Sequence, residues 1–367
     1  MRSDVVITGS GSVAETTCRA LALVAHRPLR VAVLGRSPAR IKILVELVNA
    51  MSAELDNGVR FTGGVINWES PSGLLDGIAQ HSPRLVFHTA SLQSPWELLG
   101  DVPDTPWKRL VWSAGIAITL PMQALLAWRV ATAVRRIDPA PLLVNACCPD
   151  WVNPMLRQQG LPVTCGTGNI AMFTGFLKVR YPPPMHRVWV IGHLYHFFKI
   201  MGKPHSDIQG PRVWLDGIEV PDVEVTLSDC FGQLREVNAH GKIINELVGA
   251  ASAQTLLGLL ADEPLNTHVP GPNGLPGGYP VSINKGRLEL DLPLDCSLAE
   301  AIDLNLQGAY DMGAAIIDPD GFTAFSPTAQ YALAEYVPAL AEGFHIEDLS
   351  NACAKIVQLR TELVGSG

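Results

Sequence analysis

The stretch that decides the fold is VVITGSGSVA, residues 5–14. Apolar and β-forming residues lead into Gly9 and Gly11, and an alanine follows at the third small position of a G-x-G-x-x-A pattern. In such a pattern the first glycine permits a tight turn, and the second lets the backbone approach a pyrophosphate. The free N–H groups of the following helix, which begins at Ser12 and Val13, then face the phosphates. We therefore predict a dinucleotide-binding turn at these four residues.

The second predicted strand, LRVAVLG, ends in GRSPAR, where many dinucleotide-binding proteins carry an acid. That acid would accept hydrogen bonds from the ribose 2′-hydroxyl of NAD. Here Arg36 can pair with a 2′-phosphate, Ser37 can donate to it, and Arg40 follows one helical turn later. We expect NADP(H) rather than NAD(H). The alternative is that these arginines are solvated at a helix start.

The composition narrows the class of protein. With 367 residues, of which 47% are hydrophobic, the chain can bury one large or two medium cores. The net charge is −8 and no long basic run occurs, so the footprint of a nucleic-acid binder is missing. We expect a small-molecule ligand or biosynthetic intermediate as the partner, and no nucleic acid.

Cysteine usage and hydropathy suggest a cytoplasmic protein. Seven cysteines, two of them adjacent at Cys147 and Cys148, favour reduced, buried thiols, and the early first strand leaves no room for a signal peptide. The apolar segment 114–136 approaches the length of a membrane span, but Pro121 and Arg129 interrupt it. We expect a buried helix there and no membrane association.

Strand-like and helical patterns alternate in the first half, which is typical of parallel β-α-β units. The strand-like runs are 4–8, 30–35, 58–66, 84–89 and 141–145, and the helical stretches are 12–26, 38–55, 71–81 and 106–136. Prolines after the last helix indicate a strand and a turn. The second half has mixed α+β character. Its strand-like pieces are HRVWVIG, PRVWLDG, VPDVEVTL and GYPVSINKGRLELDL, between helical patterns at 233–262 and 297–317.

Three segments, in this order, resemble the lactate and malate dehydrogenase superfamily. They are LVFHTASLQSPWELLG, PLLVNACCPDWVNPMLRQQGLPVTCGTGNIAMF and RVWVIGHLYH. The resemblance extends to about residue 318. It implies an α/β fold in which a Rossmann-type NADP-binding domain with a doubly wound parallel sheet (1–150) precedes an α+β substrate domain (151–318). Residues 319–367 are then an additional C-terminal helical extension.

The resemblance also implies cofactor contacts beyond the first turn. The family's T-A-G turn after the fourth strand corresponds to Thr89, Ala90 and Ser91, with serine replacing the glycine. The asparagine of its S-N-P turn, which lies by the nicotinamide, corresponds to Asn145, although Ala146 replaces the proline.

Two departures from the family concern the substrate. In GTGNIAMF the catalytic aspartate position is held by Asn169 and the substrate-binding arginine position by Met172. A 2-hydroxy or 2-keto acid needs a cation to clamp its carboxylate, and methionine supplies none. Lactate and malate are therefore not the expected substrates.

The proton donor is left open between three residues. The family's histidine stands two residues after a glycine, whereas Gly192 here is followed by His193, Leu194, Tyr195 and His196. A one-residue shift would use His193, a longer turn His196, and Tyr195 could donate instead. Alternatively the histidines are structural residues at a strand end. His193 and His196 with Asp207 could also hold zinc, but nothing else points to it and we expect no metal.

The aromatic residues near the implied pocket loops suggest a roomy apolar cavity, together with Met172. They are Trp96, Trp107, Trp112, Trp151, Trp189, Tyr195, Phe197 and Phe198. Core packing is the alternative for most of them.

These inferences favour an NADPH-dependent oxidoreductase, an imine or ketone reductase. It would transfer a hydride to a C=N or C=O group of a bulky, largely apolar metabolite, with specialised biosynthesis as one setting. The alternatives are a non-catalytic cofactor-binding protein and a non-redox epimerase or cyclase. A homo-oligomer is a further expectation, because the C-terminal region carries an apolar stripe that could pack on a second copy or on its own chain. The stripe is Ile346, Leu349, Ala352, Ile356, Leu359 and Leu363.

Overall fold

Six parallel strands form one sheet with the order β3-β2-β1-β4-β5-β6. The structure is a computed structural model and describes residues 2–94, 97–98, 104–201, 210–221, 243–318 and 320–365. The order in which successive strands are added reverses between β1 and β4, although all strands stay parallel. Such a reversal places a ligand crevice at the carboxyl ends of these two strands. The predicted doubly wound sheet is confirmed. The strands are β1 (Val5–Thr8), β2 (Arg30–Gly35), β3 (Arg60–Val65), β4 (Leu85–His88), β5 (Leu142–Asn145) and β6 (Cys165–Gly166).

Both faces of the sheet are buried, as the near-continuous apolar strands require. Val5 and Ile7 of β1 belong to a core cluster with the first helix, whereas Val6 belongs to a cluster on the other face. The helices of the first half are α1 (Ser12–Val24), α2 (Pro38–Glu54), α3 (Pro71–Ala79), α4 (Pro106–Ala114), α5 (Leu120–Arg135) and α6 (Pro149–Gln158).

A serine or threonine followed by proline begins three of these helices, α2, α3 and α4. Ser37, Ser70 and Thr105 each accept a hydrogen bond from a backbone N–H of the first turn, and the proline takes a position whose N–H needs no partner. This local chemistry explains why the helix starts at 38, 71 and 106 agree with the sequence pattern.

The helix predicted over 106–136 is interrupted, so that prediction is wrong in one respect. Gly115 has φ +92° between α4 and a short 3-10 turn, Ile116–Thr119, which leads into α5. A β-carbon there would lie 2.2 Å from Met312 O, so a later part of the chain requires the break. Ile116–Arg135 is the one segment of the described residues long and apolar enough to cross a membrane, and most of it is buried inside the fold.

Two short elements after β5 were not predicted. The proline-rich segment read as a strand and a turn contains α6, which starts at Pro149 because proline fits the first helical turn. The CGTG segment adds the two-residue strand β6 to the sheet before the next helix begins.

The second half contains antiparallel sheets, as its α+β pattern predicts. The strands are β7 (Val188–Ile191), β8 (Arg212–Leu215), β9 (Ile218–Glu219), β10 (Leu265–Pro270), β11 (Gly278–Asn284), β12 (Arg287–Leu290) and β13 (Ala314–Ile317). The helices are α7 (Asn169–Arg180), α8 (Leu194–Met201), α9 (Ile244–Leu260) and α10 (Leu298–Asp311). The helical pattern 297–317 is wrong at its end, because α10 stops at Asp311 and β13 follows. Residues 222–227 of VPDVEVTL and 233–242 of the other helical pattern lie outside the described residues.

The tail adds β14 (Phe322–Phe325), α11 (Pro327–Ala334), β15 (Gly343–His345) and α12 (Leu349–Gly365). The strands β13, β14 and β15 form one sheet, and α12 packs against α5 and α4. Five of the six stripe residues are at least 95% buried, and Leu363 packs against the same core. The stripe therefore covers its own chain and is not free for a second copy.

Helix α9 of the second half packs along α1. Their closest approach is at Gly249, where a β-carbon would lie 2.6 Å from the backbone of Thr16. The two predicted domains thus share a helix-to-helix contact next to the glycine turn, while the domain boundary after residue 150 stays a prediction.

Candidate functional site

The glycine turn forms an open cradle at the start of α1. Gly9 has φ +129°, and a β-carbon there would lie 2.4 Å from Thr89 Oγ1, so only glycine fits between β1 and β4. Gly11 precedes α1 with extended backbone and no side-chain cap, and no atom of the described residues lies within 4 Å of where its β-carbon would be. The N–H groups at Ser12 and Val13 begin the helix here. The turn has the shape and free donors that a pyrophosphate needs.

The basic segment after β2 lies at the edge of this cradle. Gly35 ends β2 and approaches Ser10, which belongs to the glycine turn. Arg36 is exposed, and its guanidinium has no hydrogen-bond or ion-pair partner among the described residues. Ser37 instead caps α2, accepting from Arg40 N, while the Arg40 side chain lies 3.8 Å from Glu15. Of the three residues predicted to contact a phosphate, Arg36 is the one whose side chain has no ion-pair or hydrogen-bond partner among the described residues.

The turn after β4 closes the other side of the crevice. Thr89 donates to Thr8 O through its backbone N–H at 2.9 Å, and Ala90 O accepts from Cys147 Sγ at 3.2 Å. Ser91 Oγ donates to Gln93 O at 2.8 Å. These bonds hold the turn, in which Thr89 and Ala90 lie against Gly9, while its contact with a cofactor stays a prediction.

Asn145 is a structural support for the turn that follows β5. It is fully buried; its Oδ1 accepts from Cys147 N at 2.9 Å, and its Nδ2 donates to Cys147 O and to Asn153 Oδ1. Both the oxygen and the nitrogen of its side-chain amide therefore already have hydrogen-bond partners. Any effect of Asn145 on a nicotinamide would therefore come from the backbone turn that it holds.

Asn169 contacts a carboxylate and not a histidine. At the first residue of α7, its Nδ2 donates to Asp150 Oδ2, and Asp150 Oδ1 accepts from Leu194 N at 2.9 Å. Asp150 is fully buried, and this burial raises the pKa of its carboxyl to about 6, against the lowering effect of those hydrogen bonds. The site thus contains an acid that the sequence analysis did not select.

His193 is a neutral imidazole at the end of β7. Its ring lies 4.5 Å from that of Trp151, edge to face, and burial lowers its pKa well below the usual value, with His196 adding to the effect. Its Nδ1 accepts from Tyr195 N at 3.1 Å, so the proton belongs on Nε2. Nε2 is buried and has no hydrogen-bond partner among the described residues. This N–H is a donor without a committed acceptor.

The other two proton-donor candidates are placed differently. His196 is buried, and its Nδ1 accepts from His193 N at 2.9 Å, which closes the turn at the start of α8. Tyr195 is partly buried and lies edge to face with His196. The structure therefore brings His193, Tyr195 and His196 into one turn, in which the contacts of His193 fit a donor best.

Of the predicted pocket aromatics, Trp107, Trp151 and Phe197 are buried, whereas Trp112 is exposed. Trp107 is buried and donates to Gln93 Oε1, and Phe197 packs on Phe173. Trp189 stacks with Arg187, and Trp112 donates to Leu98 O. The ring of Trp151 packs edge to face against that of His193, the candidate donor. Trp96 and the side chain of Phe198 lie outside the described residues, as does Asp207 of the zinc alternative.

Met172 is 95% buried and belongs to the main hydrophobic core. Its position supplies no charge, as expected. No cluster of three or more metal-ligand side chains occurs in the part of the chain that the structure describes. A cleft of about 270 Å³ lies elsewhere, lined by Arg84, Leu260 and Lys285 among others, and contains no predicted site residue.

Asp150 could have been found by one signal in the sequence. It is the acid in CCPDWVNP, directly after the turn that resembles S-N-P, and its neighbours are mostly apolar. A lone acid at the start of a short apolar helix is a candidate for a buried carboxylate. Its partners at 169 and 194 are far away in sequence, so the contact itself was not readable.

The tail reaches the loop that follows Ser91. Arg360 of α12 donates to Leu92 O at 2.8 Å and lies 3.5 Å from Glu97. Leu92 N in turn donates to Met122 O. The additional C-terminal segment thus holds a loop at the edge of the crevice.

Replacing Arg360 with alanine should therefore loosen this loop. We expect the Leu92 amide to exchange hydrogen about tenfold faster, because one charged hydrogen bond is lost. Lys355→Ala, on the same helix, is the matched control and should leave the rate unchanged. An equal rate in Arg360→Ala would show that α5 alone holds the loop.

The fold of the chain is similar to that of solved malate and lactate dehydrogenases. Malate dehydrogenase from Aeropyrum pernix matches with a TM-score of 0.54 and 15% identity, over 84% of this chain and 97% of that one. Malate dehydrogenase from Cryptosporidium parvum matches with 0.54 and 18%, over 85% and 97%. Lactate dehydrogenase from Eimeria maxima, determined with NADH and oxamate, matches with 0.54 and 14%, over 85% and 94%.

These identities show the fold alone. No protein-family model matches the chain. No curated protein sequence matches it. The resemblance drawn from the motifs is confirmed as a divergent chain with the lactate and malate dehydrogenase fold.

Proposed function

We propose that this protein is an NADPH-dependent reductase that transfers a hydride to a C=N or C=O group of a bulky, largely apolar metabolite. The observation that carries the proposal is the neutral, buried His193, whose Nε2–H has no committed acceptor next to the turn after β5. A donor of this kind can polarise the heteroatom of a double bond.

The cradle fits a dinucleotide. The start of α1 would hold the pyrophosphate, because the space at Gly11 is open, and Thr89 to Ser91 would border the crevice, because Thr89 and Ala90 lie against Gly9. Arg36 supports NADPH over NADH, because a guanidinium without a partner can pair with a 2′-phosphate. When bound, the nicotinamide supplies the hydride.

The state of His193 favours particular acceptors. A neutral imidazole is a weak acid, so it stabilises developing charge by hydrogen bonding more readily than by giving up its proton. A C=N nitrogen is more basic than a carbonyl oxygen, so it would accept a hydrogen bond from the His193 Nε2–H more strongly and needs no strong acid in the site. For this reason we rank imines above ketones as substrates.

The surroundings argue against small carboxylic acids. Met172 takes the position where a clamping arginine would be expected from the resemblance, and it is buried in the core. Trp151 lies against the donor. A carboxylate brought here would lose its hydration without a bidentate cation in return.

Replacing Arg36 with alanine should weaken NADPH binding about 10- to 100-fold and leave NADH binding unchanged, because charged hydrogen bonds to the 2′-phosphate are lost. Titration of the protein with each cofactor, followed by nicotinamide fluorescence, measures both. Lys42→Ala is the control: it removes a cation from α2, the helix that follows Arg36, where Lys42 pairs with Glu46.

Three outcomes of this titration are informative. A selective loss for NADPH supports the assignment. Equal binding of both cofactors by the parent chain would contradict the NADPH preference, and binding of neither would reduce the glycine turn to a structural feature. If NADPH binds but is oxidised by none of a panel of bulky imines and ketones, the chain is a non-catalytic or non-redox cofactor-binding protein.

A further inference from the structure

One buried carboxylate joins the first turns of two helices at the candidate site. Asp150 accepts from Leu194 N, at the start of α8, and from the side chain of Asn169, at the start of α7. These positions carry the positive ends of the helix dipoles and free N–H groups. The carboxylate therefore fixes where α7 and α8 begin relative to α6.

The turn that Asp150 fixes also determines the tautomer of His193. Leu194 N donates to Asp150, and the next backbone N–H, that of Tyr195, donates to His193 Nδ1. The His193 ring packs against Trp151, the residue that follows Asp150. If the turn moved, Nδ1 would lose its donor and the proton would no longer be confined to Nε2.

We propose that Asp150 is the positioning residue for His193, acting through the Leu194 N–H to hold the imidazole with its proton on Nε2. This inference rests on the proposed function, which gives His193 a reacting partner. In the resembled family an aspartate stands at the position of Asn169. Here that position carries an amide, and the carboxylate comes from α6.

Keeping this carboxylate costs stability at neutral pH. The pKa of Asp150 is about 6 in the folded chain, against an ordinary aspartate value of 3.8. Between these values the folded chain binds more protons than the unfolded chain, so stability falls as pH rises through this interval. A buried charge retained at such a cost is typical of a functional position.

The titratable groups that face Asp150 are few in the described residues. Burial raises the pKa of the Cys148 thiol and of the Tyr279 hydroxyl, and lowers that of His193. These three groups are neutral near pH 6. His196 is the further titratable side chain in the turn.

The test is nuclear magnetic resonance of the cofactor-free protein labelled with 15N-histidine, between about pH 5 and pH 8. In the parent chain we expect His193 to show the Nε2–H tautomer throughout, with a shift centred near pH 6 as Asp150 ionises. Asp150→Asn should keep the tautomer, since its amide oxygen can accept from Leu194 N, and should lose the shift.

Three further variants sharpen the comparison. Asp150→Ala should give a mixture of His193 tautomers, whereas Asn169→Ala, the control, should keep Nε2–H because the Leu194 bond remains. The double exchange Asp150→Asn with Asn169→Asp returns a carboxylate to the pair and should restore a pH-dependent shift.

An unchanged His193 spectrum in Asp150→Ala overturns the proposal. If that variant does not fold, Asp150→Asn decides: loss of the shift supports the proposal, and its persistence overturns it. Because these spectra need no cofactor or substrate, a negative result leaves the NADPH titration unaffected, and a failed titration leaves the spectra unaffected.

Discussion

Replacement of Gly11 with threonine is expected to weaken NADPH binding by about 100-fold or more while leaving the free energy of unfolding nearly unchanged. The backbone at Gly11 is extended, with φ −80° and ψ −174°, and no described atom lies within 4 Å of the new β-carbon. Threonine also caps a helix about as well as glycine. The added side chain would nevertheless fill the space that a pyrophosphate must enter.

Comparison with the neighbouring variant Gly9→Ala separates an effect on binding from an effect on folding. At φ +129°, with Thr89 Oγ1 2.4 Å from the new carbon, alanine strains the turn itself. This variant should lose stability as well as binding. NADPH titration and chemical unfolding of both variants give the comparison. Full NADPH affinity in Gly11→Thr would contradict the assignment of the glycine turn as the pyrophosphate-binding site.

The largest effect on stability is expected at Gly115. Alanine there combines a left-handed φ of +92° with a contact of 2.2 Å to Met312 O, and Gly313 N of the same peptide group would lie 2.8 Å away. We expect a loss of about 3 kcal/mol in the free energy of unfolding from strain and overpacking together.

Gly160→Ala is the matched control. Gly160 has φ +62° and no described atom within 4 Å of its β-carbon, so alanine there costs only the backbone conformation, about 1 kcal/mol. Denaturant titration of both variants measures the difference. Equal losses at the two glycines would mean that the contact with Met312 relaxes at little cost.

The sheet was predictable because its information is local. Each buried strand is a short apolar run, the starts of α2, α3 and α4 have a capping residue and a proline, and the glycine turn marks the reversal of strand order. Elements that depend on distant partners were not predictable. The break at Gly115 is required by Met312, about 200 residues later, and β6 is two residues long and forms only beside β5.

The candidate site likewise contains parts that local sequence predicts and parts that depend on distant residues. The predicted cofactor residues lie in turns that the sequence motifs mark, and the structure brings Gly9 and Thr89 together. The proton donor could not be chosen from GHLYH, because the choice depends on which nitrogen faces a backbone N–H. Asp150 was missed since its role arises from the starts of two helices that the sequence does not place near it.

The buried thiols are built-in probes of local unfolding. All six described cysteines are free and buried, and burial raises the pKa of Cys147 to about 12 and that of Cys353 to about 11. Since thiolates are the reactive form, alkylating reagents should modify the folded chain slowly. Cys18 lies in α1, Cys165 in β6 and Cys353 in α12, so the order of their alkylation reports which layer of the molecule opens first.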